Sequence, residues 1–204
     1  MNLQQDNCIK SLSNNKVENH FGVEIQELPF INKINVRIDT NDNKNIIKCG
    51  KLINAILPVQ ANTYVTNDNV KVIWLGPNEW LITNNQNLYK NLKNEIGDMQ
   101  ASVTDVSENR TVIRISGDQI FKLLSKFLVL DLEKNLSDES SCAQTLFVKV
   151  PVLLVRNTNE KQIPEMDIFT NRSHAKYIYN LIVDGSQYLD FKIFFNNFYF
   201  FLIL

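Results

Sequence analysis

Short apolar runs with two-residue alternation give way, again and again along this chain, to stretches whose apolar residues recur at three- and four-residue steps. The first pattern is that of a half-buried strand, the second that of a helix with one buried face. No glycine-rich loop joins them, because Gly22, Gly50, Gly76, Gly97, Gly117 and Gly185 are scattered singly. A dinucleotide-binding turn or a P-loop needs glycines a few residues apart, so that backbone can approach phosphate oxygens. Neither motif is present. Strands that lead into single helices, repeated without such a loop, predict an α+β fold built of ferredoxin-like units.

The individual elements follow from the same pattern. Val23 to Asp39 alternates loosely, with Ile34, Val36 and Ile38 on one face and Pro29 as punctuation. Residues 44–57 carry Ile46, Cys49, Ile53 and Ile56 at helical steps, which predicts a helix stopped by Pro58. Strands at 70–75 and 79–83 flank a turn at Gly76-Pro77-Asn78. A helix over 87–96 ends at Gly97. The strand at 111–116 turns through Gly117 into a helix capped by Asp118, with Ile120, Leu123, Leu124 and Phe127 inward. Two short strands over 145–156 are expected to break at Pro151. A strand at 167–170 then precedes a helix with Ala175, Ile178, Tyr179 and Ile182 at core spacing. Three regions result: a loose arm over 1–22, a folded domain over 23–186 and an apolar tail over 187–204.

Composition restricts the function classes. With 21 Lys+Arg against 22 Asp+Glu the net charge is −1. Such a chain has no field to gather phosphates, so no nucleic-acid partner is expected. The three cysteines, Cys8, Cys49 and Cys142, are odd in number and far apart, which fits reduced thiols in the cytoplasm. Neither His20 nor His174 has other ligands at metal-binding spacing, so no metal site is expected. The first ten residues hold no apolar run of the secretory kind. The wealth of Asn, Lys and Ile fits the AT-rich codons of a bacterial genome. At the other end, 191–204 is mostly apolar but spans only ~21 Å as a helix, short of the ~30 Å hydrocarbon core. Lys192, Asn196 and Asn197 also interrupt it. No membrane span is expected.

Three segments carry a resemblance to a known family. The first is Trp74-Leu75-Gly76-Pro77-Asn78-Glu79-Trp80-Leu81, a turn flanked by tryptophans. The second is Asp105-Val106-Ser107-Glu108-Asn109-Arg110-Thr111, running on through Arg114-Ile115-Ser116-Gly117. The third begins at Asp131-Leu132, continues at Cys142-Ala143-Gln144-Thr145 and reaches Pro151-Val152-Leu153-Leu154; Asp167 and the Arg172-Ser173 pair follow. In order, spacing and residue type these segments resemble the gamma subunit of heterotetrameric sarcosine oxidases, over about 28–184. Asn78 departs from the aspartate usual at that turn, and the tail has no counterpart.

The resemblance implies a fold like the aminomethyltransferase T-protein of the glycine cleavage system. It also implies a place in a complex that oxidatively demethylates sarcosine to glycine, forms hydrogen peroxide and passes a one-carbon unit to tetrahydrofolate. The partners implied are the alpha, beta and delta subunits. FAD, FMN, NAD and tetrahydrofolate would lie on alpha and beta, and zinc on delta, leaving this chain without catalytic, cofactor-binding or metal-binding residues. The alternatives are a stand-alone folate-binding protein of the aminomethyltransferase type, a free assembly factor and a membrane-tethered protein.

The residues that invite a functional reading have structural explanations too. Trp74 and Trp80 could stack on a planar ligand, but aromatics also anchor cores and interfaces. Asp105, Glu108 and Arg110 could do acid–base work, though a local ion pair or a subunit contact accounts for them. Cys142 is a nucleophile only with a base beside it, and a small buried thiol is the expectation. His174, in the first turn of a helix, is expected to be exposed and neutral. Arg172 and Ser173 could hold an anion at that helix N-terminus, or Ser173 or Asn171 could simply cap it. Trp74, Trp80, Asp105, Arg110 and Arg172 are therefore expected to serve structure or subunit contacts.

Overall fold

The computed structural model describes residues 17–84, 88–96, 101–157 and 163–189. The stretch from Val23 to Asp39 is two strands and not one. Residues Leu28 to Ile31, with Pro29 among them, separate β2 (Val23–Glu27) from β3 (Asn32–Ile38). Proline has no amide hydrogen to give a ladder, and here it marks where the chain leaves one sheet for another. Strand β2 belongs to a six-stranded antiparallel sheet and β3 to a five-stranded one.

The five-stranded sheet takes β4 (Tyr64–Asn67), β5 (Val70–Gly76), β6 (Glu79–Asn84) and β7 (Ala101–Asp105), in the order β4-β5-β6-β3-β7. Helices α1 (Asn43–Ile53) and α2 (Tyr89–Ile96) cover one face, where Cys49, Ile53, Leu92 and Ile96 pack on Val36, Val72, Trp80 and Ile82. The six-stranded sheet adds β1 (Glu18–His20), β8 (Arg110–Ser116), β9 (Cys142–Phe147), β10 (Val150–Asn157) and β11 (Glu165–Asn171), in the order β1-β2-β8-β11-β10-β9. Its outer face is covered by α3 (Ile120–Leu124), α4 (Leu132–Asn135) and α5 (Ala175–Ser186). Between the sheets lies a third apolar layer, in which Tyr64, Ile73 and Leu81 meet Val112, Leu153, Val155 and Phe169. Strict alternation divides each strand: Val72 and Ile82 face helices, while Ile73 and Leu81 face the other sheet. The layers run helix, sheet, sheet, helix.

The sheets are stitched at one corner. Cys142 N–H donates to the Asn62 carbonyl at 2.8 Å and Tyr64 N–H to the Ser140 carbonyl at 2.9 Å. The Tyr64 hydroxyl contacts the Glu139 and Arg156 carbonyl oxygens, each at 2.6 Å. Among the described residues no helix is long and apolar enough to cross a membrane.

Several local expectations need correction. Helix α1 ends at Asn54, whose left-handed φ of 52° returns its N–H to the Gly50 carbonyl, before Pro58 is reached. Asparagine tolerates that conformation because its short polar side chain bonds locally. Asp118 does not cap α3, whose N-cap is Gln119 without a side-chain bond. The break between β9 and β10 falls at Val148 and Lys149, while Pro151 sits inside β10 opposite Leu146. Pairing with β11 begins only at Leu153, so the missing proline N–H breaks no rung. Strands β4 and β7 and helix α4 were not legible as periodic elements, and β1 lies within the stretch expected as a loose arm. The Gly97 cap and residues 190–204 lie outside the described residues.

Candidate functional site

The tryptophan-flanked turn is a bulged hairpin. Trp74 and Trp80 oppose each other across β5 and β6, and the register shifts before Gly76 meets Glu79. Trp80 is 1% exposed and its Nε1–H donates to the Pro58 carbonyl at 2.8 Å, so the indole both fills the helix-side core and pins the α1–β4 connection. Trp74 is half-buried. Its N–H reaches the Thr63 carbonyl at 3.0 Å, and its own carbonyl lies 3.8 Å from the Cys142 sulfur. The Trp80 indole serves packing.

The acidic turn between β7 and β8 is a clasp. Asp105 Oδ1 accepts the Ser107 N–H at 2.9 Å and its hydroxyl at 2.5 Å. Ser107 Oγ in turn accepts the Lys33 N–H at 2.9 Å, and the buried Lys33 ammonium donates to the Ile31 and Ser107 carbonyls at 2.9 and 3.3 Å. The expected local pair with Arg110 does not form. Glu108 pairs with Arg172 at 3.6 Å, while Arg110, half-buried, faces Glu79 of the other sheet. Burial lowers the Arg110 pKa, and the charge of Glu79 works against that shift. Glu79 is itself held by Arg37 at 3.0 Å and by Asn35 Nδ2 at 2.7 Å.

Neither described cysteine is poised for chemistry. Cys49 and Cys142 are buried, and burial pushes both thiols up to about 12. A neutral thiol is a poor nucleophile, and Cys142 is placed to donate to the Thr63 carbonyl at 3.5 Å. His174 departs from expectation: its ring is partly covered, and Nδ1 is buried without a hydrogen-bond partner. Neither Asn171 nor His174 caps with its side chain, so the Arg172–His174 turn enters α5 uncapped. Among the described residues no group of three or more His, Cys, Asp or Glu is arranged to hold a metal ion.

A charge cluster assembled from distant strands lies at the open end of the inter-sheet layer. Asp167 and Arg114 are direct neighbours across β11 and β8, and Arg114 Nε and Nη2 bind the two carboxylate oxygens at 2.7 and 2.9 Å. Glu165 adds an oxygen 3.3 Å from Arg114 Nε. From the facing sheet, Lys71 Nζ comes within 3.8 Å of Asp167, donates to Asn157 Oδ1 at 2.7 Å and lies 4.8 Å above the Tyr64 ring. Burial lowers the Lys71 pKa, Asp167 opposes the shift and Arg114 adds to it. Burial is the largest influence on Arg114 and would lower its pKa, but the hydrogen bond to Asp167 and the charges of Asp167, Glu165 and Tyr64 together raise it. Strands with charged residues inside apolar runs, Ile113-Arg114-Ile115 and Asp167-Ile168-Phe169, were the available signal. The pairing needs the antiparallel register, and register is not written in either run alone.

Residues 37–188 match the sequence model of the sarcosine oxidase gamma subunit family. A sarcosine oxidase gamma subunit from Corynebacterium sp. strain P-1 is 27% identical over 137 residues, which are 66% of this chain and 67% of that one. The counterpart from Corynebacterium sp. strain U-96 is 32% identical over 87 residues, 42% of each chain. In three dimensions the fold matches a chain of the heterotetrameric sarcosine oxidase from Corynebacterium sp. U-96. The TM-score is 0.73 at 22% identity, covering 86% of this chain and 89% of the other. A family match over residues 37–188, from the last residues of β3 past the end of α5, establishes that this chain belongs to the sarcosine oxidase gamma subunit family.

Proposed function

We propose that this chain is the gamma subunit of a cytoplasmic heterotetrameric sarcosine oxidase and that it acts without catalytic residues of its own, holding the larger subunits in register. The observation that carries the reading is the family match across 37–188. The side chains that invited a catalytic reading support it by their engagements: Trp80 fills a core, Asp105 closes a turn and Cys142 is a neutral buried thiol. The complex would oxidatively demethylate sarcosine to glycine, form hydrogen peroxide and transfer the one-carbon unit to tetrahydrofolate. FAD, FMN, NAD, tetrahydrofolate and zinc would reside on the alpha, beta and delta partners. Half-buried Trp74, Arg110 and Arg172 remain the best candidates for contact with those subunits, since aromatic and arginine side chains dominate interface energetics.

The topology supports a ferredoxin-like reading of the architecture. Strands β3, β5, β6 and β7 with α1 and α2 follow the order strand-helix-strand-strand-helix-strand, and in the sheet the last strand lies beside the first. Two such layers back to back would give the T-protein-like arrangement.

The experiment is co-expression with the alpha, beta and delta genes of the same organism. A stable complex holding this chain in equal proportion, with sarcosine-dependent peroxide formation that requires all four genes, is the expected result. A monodisperse chain that ignores those partners, or one that binds tetrahydrofolate on its own, would overturn the assignment.

A further inference from the structure

We propose that the groove between α1 and β4 seats an amphipathic helix of another subunit, apolar on its inward face and acidic where it passes Lys51. For the source of that helix the inference rests on the gamma-subunit reading. The helix layer over the five-stranded sheet leaves one strand uncovered. Strands β3, β5, β6 and β7 bury Val36, Val72, Ile82 and Val103 beneath α1 and α2, whereas β4 gives that core no side chain. Val65 of β4 stands directly opposite Val72 and therefore on the same face, yet it stays partly open. A groove of about 780 Å³ lies there, lined by Val65, by Ile47 and Lys51 of α1, and by Ile56 and Val59 of the connection that follows. Ile47 is 57% exposed, Ile56 77% and Val59 89%. Single exposed apolar side chains are ordinary, but three around one concave surface mark a binding face. A sheet face in a layered fold is closed by helices. Ile47 and Lys51 sit one turn apart on α1, so a helix laid beside it meets a ridge of the spacing that helices pack against.

Charge selects among the possible occupants. Among the described residues Lys51 is the one charged side chain that lines the groove. Helix α1 holds Lys44, Lys48 and Lys51 and no acidic residue. Lys48 is held by Glu95 at 2.8 Å, while Lys51 has no ion pair among the described residues. An apolar surface with one unmatched cation is complemented by an apolar helix with one carboxylate. A second copy of this chain lacks that complementarity, since a two-fold contact sets the same patch against itself and lysine against lysine. Residues 191–204 lack it too, because their one charged residue is Lys192. A helix of a different subunit meets the requirement.

Co-expression of the full chain with the alpha, beta and delta genes tests this in two ways. Val59→Glu and Ile56→Glu place a charge on side chains that are mostly in solvent, so the thermal melt of the chain alone should match the wild type. Beneath a docked apolar helix that carboxylate has no partner, and recovery of this chain with the other subunits should fall about tenfold or more. Lys51→Glu should lower recovery further than Lys51→Gln, because it adds repulsion to the loss of the pair. In the wild-type complex, a carbodiimide that joins amines to carboxylates without a spacer should link Lys51 to an Asp or Glu of another subunit. The linked peptide should carry apolar residues at three- and four-residue steps. A Lys51 link to a second copy of this chain or to its own residues overturns the proposal. So does full recovery of Val59→Glu and Ile56→Glu beside a wild type that assembles. Failure of the wild-type chain itself to assemble overturns the gamma-subunit reading, and the groove's partner with it.

Discussion

Arg114 and Asp167 stand directly opposite each other on β8 and β11, joined by two hydrogen bonds of 2.7 and 2.9 Å on the face turned toward the other sheet. The pair is the polar end of a layer whose centre is wholly apolar, and Lys71 leans onto it from across the gap. It thereby ties β8, β11 and β5 together. Asp167→Ala removes the acceptor of one guanidinium and the counter-charge nearest one ammonium at once. Breaking a fully buried pair costs ~3–5 kcal/mol; since the Arg114 side chain is 32% exposed, a loss of about 2–3 kcal/mol is expected. Urea denaturation of the variant measures it, and Arg114→Lys should fail to restore stability because lysine lacks the two-pronged donor.

Gly117 admits no side chain. Its φ is 139°, and a Cβ there would lie 2.4 Å from the Gly22 carbonyl oxygen, a backbone atom that cannot swing away. Gly117→Ala should lower stability by more than about 1 kcal/mol. The same exchange at Gly76, whose nearest neighbour would be Glu79 Cβ at 3.7 Å, should be much milder. Thermal melts of the two variants, compared side by side, test the contrast.

Trp80 combines volume with one hydrogen bond, and two substitutions separate them. Trp80→Ala should cost ~3–5 kcal/mol for the cavity. Trp80→Phe keeps most of the ring but strands the Pro58 carbonyl, for a cost of about 1–3 kcal/mol. If both variants match the wild type in denaturant, the indole is not the anchor described. Under the proposed role, turnover of whatever complex assembles should be nearly unchanged in either.

Alkaline pH should weaken the fold. The ordinary values are 9.0 for the thiols of Cys49 and Cys142 and 10.0 for the Tyr64 phenol, and in the folded chain burial raises all three to about 12. Each group holds its proton more tightly when folded. Its stabilising contribution is therefore complete below pH 9.0 and is lost as pH rises toward about 12. Where the unfolded group is ionised and the folded one is not, each costs about 1.4 kcal/mol per pH unit. Denaturant midpoints under reducing conditions should fall across that window, and the fall should be shallower in a Cys49→Ala, Cys142→Ala double variant. The Cys49 and Cys142 thiols should also resist alkylation at neutral pH and react once urea unfolds the chain.

The alternation at Val70–Gly76, Glu79–Asn84 and Arg110–Ser116 was legible because each strand buries both faces unequally, so its period is carried by its own residues. Helix α2 and the core positions of α5, Ala175, Ile178 and Ile182, were legible for the same reason. The family segments, too, are strings of local sequence. Strand β4 was not, since only Tyr64 is buried along it and a four-residue edge strand shows no period. Nor could local pattern show that residues Leu28 to Ile31 carry the chain from one sheet to the other, or that Glu108 would choose Arg172 over Arg110. The cluster of Lys71, Arg114, Asn157 and Asp167 comes from four strands in two sheets. Periodicity and turn chemistry depend on neighbours along the chain, so the sequence by itself determined the types of the longer periodic elements, the tryptophan turn and the family. Sheet order, register and the meeting of charges across the inter-sheet layer depend on which distant strands lie side by side, and only the tertiary structure decided those.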